Sequence, residues 1–67
     1  MGLPEEKRPE CQLIGKDGNV FFIIGAVRKT LSRAGFENEA KQFTEEATVQ
    51  KSYDDVLRLC MEYVVIV

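Results

Sequence analysis

Apolar positions along the chain fall into three helical stripes bracketed by two short extended runs. Between positions 20 and 34, Val20, Ile24, Val27, Leu31 and Ala34 share one face at 100° per residue, with Ile23 beside them. Asn19 precedes this run as an N-cap, since its side-chain oxygen can accept an orphan backbone N–H. Gly35 follows it as a left-handed stop. Phe21 falls to one flank, and Phe22 lies on the far side with Ala26, Lys29 and Arg33. Gly25 sits mid-helix, where it costs about 1 kcal/mol relative to Ala; close approach of another backbone is the expected compensation.

A second stripe, Phe36, Ala40, Phe43 and Ala47, predicts a helix over Glu37–Thr48 whose other faces are acidic or polar, with Glu37 and Lys41 as an i,i+4 pair. Ser52 opens a third helix, with Asp54 in its first turn and Asp55 at the capping-box position. Its apolar positions (Tyr53, Val56, Leu57, Leu59, Cys60, Met61, Tyr63 and Val64) cover more than half the circumference, wider than the stripe of a surface helix. Val64–Val67 is β-branched throughout and predicts a strand; Cys11–Ile14 is a second strand candidate, followed by a turn at Gly15–Gly18. Residues 1–10, with two prolines and one large apolar side chain beyond Met1, read as a mobile tail before a single domain over 11–67.

The expected fold class is therefore α+β: a short strand, three helices and a short C-terminal strand, with a small two-stranded sheet packed on the helices. The stripe centres place the core at Ile24, Val27, Leu31, Phe43, Leu57, Cys60 and Val64. A two-stranded sheet leaves edges, so either the helices cover it or a second copy extends it.

Composition narrows the chemistry. Sixty-seven residues make one small domain of modest stability. There is no His, the commonest metal ligand and the side chain best suited to proton transfer near neutral pH. Two cysteines, Cys11 and Cys60, lie far apart without a metal or redox spacing and are expected to be reduced. The first ten residues have no secretory apolar core, and the longest apolar run, Val20–Val27, is too short to span a bilayer; a cytoplasmic protein without membrane contact is expected. The net charge of −2 hides an asymmetry: residues 16–35 sum to +3 and residues 36–48 to −3. A basic helix beside an acidic one describes either attraction within the fold or two patches for two partners.

Asp54 and Asp55 diverge by about 100° on a helix and make no carboxylate pair, and Glu45 and Glu46 diverge likewise. Asp17-Gly18-Asn19 lacks the alternating ligands of a calcium loop, and Gly15 and Gly18 lack the Lys-Ser/Thr of a phosphate loop. No catalytic residue, cofactor site or metal site is assigned, and the chain is not read as an enzyme.

Taken together, Asp17-Gly18-Asn19, Ile24-Gly25, Ala34-Gly35, Glu46-Ala47-Thr48, Tyr53-Asp54 and Tyr63-Val64 make the chain resemble a family of short, uncharacterised bacterial and phage-encoded proteins. The resemblance covers about residues 12–65. Val49-Gln50-Lys51-Ser52 replaces that family's Ser-Gly-Asp approach to Tyr-Asp, and Asp55 stands where it has His, which argues against obligatory His chemistry. The resemblance implies no activity.

What remains is contact. The first expectation is a non-catalytic protein-interaction module that self-associates as a homodimer, or meets another protein, through Phe22, Leu59, Met61, Tyr63, Val65, Ile66 and Val67. The alternative is weak nucleic-acid binding by the basic face of the first helix, through Arg28, Lys29 and Arg33 beside Phe22.

Overall fold

The computed structural model describes residues 2–13 and 19–67. A single 3-10 turn, Glu5–Lys7, leads into strand β1 (Glu10–Cys11). Three helices follow, α1 (Val20–Arg33), α2 (Glu37–Thr48) and α3 (Tyr53–Tyr63), and then strand β2 (Val65–Ile66). The fold is α+β, with the two strands forming one small sheet. They are parallel, with Glu10 opposite Val65 and Cys11 opposite Ile66. Parallel pairing needs a long crossover, and the three helices supply it.

Local chemistry sets the helix ends. The Asn19 side chain accepts from the Phe21 N–H at 2.9 Å and so begins α1. At its other end Gly35 takes φ +89°, the Phe36 N–H reaches the Leu31 carbonyl at 2.8 Å, and the Gly35 N–H reaches Ser32 at 3.1 Å. This is a Schellman motif, and it drops Phe36 back onto the core as α2 begins. Ser52 caps α3, its Oγ accepting from the Asp55 N–H at 3.1 Å.

The core lies between the helices and the sheet. Val27, Leu31, Phe43, Cys60 and Tyr63 are fully enclosed, and Ile23, Ile24, Ala40, Ala47, Val56, Leu59 and Val64 complete the buried centre. Phe43 meets the Tyr63 ring edge-on, with centroids 5.3 Å apart. Leu57 departs from expectation: it is only half-buried. The α3 stripe actually buried is Val56, Leu59, Cys60 and Tyr63, at i, i+3, i+4 and i+7, rotated away from Leu57. Its width is that of an ordinary amphipathic helix.

The strands are shorter than the β-branched pattern suggested. Val64 is the C-cap of α3 with extended angles rather than a strand residue. β1 starts one residue early, at Glu10; Ile14 and the predicted Gly15–Gly18 turn lie outside the described residues.

Residues 2–10 lie on the domain instead of trailing from it as a tail. Leu3 is buried in the core. Its N–H donates to the Glu62 carbonyl at 2.8 Å, satisfying one of the carbonyls that a helix C-terminus leaves open. The Arg8 Nε donates back to the Leu3 carbonyl at 2.7 Å, and the Pro9 carbonyl accepts from Val65. A Cβ at Gly2 would collide with the Glu62 carbonyl, so only glycine allows this approach.

Candidate functional site

Fold packing decides which of the sequence-derived contact residues reach solvent. On α3, Leu59 and Tyr63 are buried and belong to the core, which removes them from any contact surface. Leu3, the sheet and the other two helices cover much of the apolar arc of α3. Met61, Val65 and Val67 are exposed, while Ile66 packs partly against the core.

The first helix carries the better-defined surface. Opposite its buried stripe lie Phe22, Gly25, Lys29 and Arg33, with Phe21 and Arg28 on the flank beside them. Phe21 is 76% exposed and Phe22 42%, large values for aromatic side chains. Phe21, Phe22, Gly25 and Ala26 form one end of a shallow groove of about 410 Å³, and Arg28 and Lys29 form the other. Those two cations also border a depression of about 370 Å³ between α1 and α2, where Lys41, Ser32 and Glu37 join them. The surface thus runs from aromatic to cationic without a break.

Gly25 forms the floor of this groove. Its expected compensation, close approach of another backbone, is not made by any of the described residues. A Cβ built at Gly25 meets nothing within 4 Å. The helix therefore bears the glycine penalty of about 1 kcal/mol with no packing from the described residues to offset it.

α1 contains no carboxylate. Among the described residues no ion pair joins Arg28, Lys29, Arg33 or Lys41 to an acidic side chain; the recorded pair is Arg58 with Asp55, at 3.9 Å on α3. The acidic helix thus does not neutralise the basic one through ion pairs. The Glu37–Lys41 pair expected along α2 is not made either; Glu37 Oε1 instead accepts from Ser32 Oγ at 3.4 Å. Asp55 serves α3 by its backbone at the cap and its side chain at Arg58.

Among the described residues, three buried titratable groups lie in the core: Cys11, Cys60 and Tyr63. Cys11 and Cys60 are free thiols. Burial, then the neighbouring Cys11, pushes the Cys60 thiol up to about 11 from 9.0. Burial pushes the Tyr63 phenol up to about 12 from 10.0, assisted by the charges of Glu46, Glu62 and Glu39. The buried Tyr63 hydroxyl makes no hydrogen bond of full geometry, although the Glu46 carboxylate is near enough to add to the rise of its pKa. High thiol and phenol pKa values keep both groups neutral and unreactive, the opposite of an activated nucleophile. Among the described residues no group of three or more His, Cys, Asp or Glu is arranged to hold a metal ion. No described helix is long and apolar enough to cross a membrane.

The sequence alone places Arg28, Lys29, Arg33 and Phe22 on this surface but not Phe21, Gly25 or Lys41. The available signal was a fourteen-residue helix without a carboxylate and with a glycine at its middle. The chain matches no protein-family model, no curated protein and no solved structure.

Proposed function

We propose that the protein is a small non-catalytic interaction module that presents the outer face of α1 to a partner protein. The observation that carries this reading is the continuous surface of two exposed phenylalanines and two exposed cations around a glycine floor. Exposed aromatic and Arg side chains are the residue types that dominate protein contacts. Self-association, which drew on the α3 flank, loses Leu59 and Tyr63 to the core. Two copies meeting through α1 would set cation against cation.

The test compares partners captured from a lysate of the source cell by the wild type, by the double variant Phe21→Ser/Lys29→Glu and by Met61→Ser. A partner held by the wild type and by Met61→Ser, but released by the double variant, supports the α1 face. Retention by the double variant together with release by Met61→Ser moves the contact to α3.

A second reading is single-strand nucleic-acid binding by Arg28, Lys29 and Arg33 with Phe22. It is favoured by the absence of ion pairs to those cations among the described residues. The net charge of −2 and the small number of cations count against it.

A further inference from the structure

We infer that the α1 groove seats an acidic amphipathic helix of the partner protein, with Gly25 at the point of closest approach; this rests on the α1 interaction face proposed above. The first ground is Gly25 itself. A glycine in a helix interior is destabilising, and none of the described residues occupies the space its missing side chain leaves open. A flat spot on a helix lets a second helix lie closer than ordinary side chains permit, because side-chain size at the crossing sets the axial separation. Stacking of a nucleobase on Phe21 or Phe22 needs no such spot.

The second ground is the arrangement of chemistry around that spot. Phe21 and Phe22 stand at one end of the groove and receive apolar anchors spaced i, i+3, i+4 and i+7 on the incoming helix. Arg28 and Lys29 stand at the other end, and Lys41 extends the cationic edge along α2. An apolar stripe flanked by carboxylates matches both ends at once. Glu37, the acidic residue bordering the depression, is turned to the Ser32 hydroxyl. A basic helix would meet like charge along this edge, as would a second copy presenting its own α1.

The experiment is fluorescence anisotropy with three labelled probes. The first is a helical peptide with Leu at i, i+3, i+4 and i+7 and Glu at its other positions; the second carries Lys for every Glu; the third is single-stranded oligothymidylate. The wild type is expected to bind the acidic peptide, more weakly as salt is raised, and not its Lys counterpart. Gly25→Gln should weaken that binding by about tenfold or more and Gly25→Ala by less, as side-chain bulk fills the contact. Both variants should melt at or above the wild-type temperature, so that lost binding is not lost folding. Equal binding by wild type and Gly25→Gln overturns the helix seat, while the α1 face stands if Lys29→Glu still abolishes it. Preference for the oligonucleotide overturns the partner class and leaves the face intact. No binding of the acidic peptide overturns the inference. Binding that neither Lys29→Glu nor Phe22→Ser weakens overturns both the inference and the face.

Discussion

Leu31 shows what a single residue carries in so small a domain. It is fully buried on α1 and shares the core with Val27 and Phe43. Leu31→Ala should cost about 2–5 kcal/mol, a large part of the stability a domain of this size has. Urea unfolding followed by circular dichroism gives the value, and a loss below about 1 kcal/mol would mean the site collapses without a cavity. The buried thiol and phenol make a second residue-scale prediction, for alkaline pH. Cys60 is raised from 9.0 to about 11 and Tyr63 from 10.0 to about 12. Below pH 9 both groups are protonated whether the chain is folded or not, and stability is intact. Above it the unfolded chain releases the Cys60 proton first and the Tyr63 proton next, while the folded state retains both. Stability therefore falls as pH rises through about 11 and 12. Denaturation midpoints measured at stepped alkaline pH should decline over this window, and Tyr63→Phe should flatten its upper part. The same variant removes a buried hydroxyl that makes no hydrogen bond of full geometry, so at neutral pH it should leave stability unchanged or raised.

Among the elements, the N-terminal segment departs furthest from its expected role. Proline, charge and a single Leu describe a tail by composition, yet Leu3 is in the core and its N–H caps the end of α3. The segment is held at one crowded point, where Gly2 passes the Glu62 carbonyl. Gly2→Ala should push it off and expose Leu3 while the helices stay folded. Limited proteolysis should then cleave near Lys7 or Arg8 much faster than in wild type, with little change in helical circular dichroism. Equal cleavage rates would show that the segment reaches the core without this close approach. The sheet depends on the same placement, since the Pro9 and Cys11 carbonyls accept the Val65 and Val67 N–H groups. Loosening residues 2–9 should therefore speed amide exchange at Val65.

At the scale of the whole molecule, the decisive feature is how little apolar surface α3 leaves uncovered. With Leu59 and Tyr63 inside, a dimer through this helix would rest on Tyr53 and Met61, the large apolar side chains of α3 that stay exposed. The protein should run as a monomer by light scattering at high micromolar concentration. A dimer dissociated by Ile66→Asp would restore pairing through the free edge of β2. The charge asymmetry also persists as a surface property, because the cations of α1 make no ion pair with α2 among the described residues. A contact made through α1 should accordingly weaken as salt is raised.

Three helices with their caps were legible in the sequence because caps and stripes are local. Asn19, Gly35 and Ser52 act on backbone groups within a few residues, and periodicity alone defines Glu37–Thr48 to the residue. The presence of a sheet between the two ends was also legible, from β-branched residues with only one possible partner run. Other features required tertiary structure, because they depend on what lies across a gap in sequence. Which flank of an over-wide apolar arc on α3 is buried depends on where α1, α2 and Leu3 stand, so Leu59 and Tyr63 are core while Leu57 is half-exposed. The parallel sense of the strands depends on the path of the whole crossover. The candidate site divides the same way. Its cations and Phe22 follow from the helical wheel of α1, whereas the open space over Gly25 and the arrival of Lys41 beside Arg28 are fixed only when α2 packs against α1.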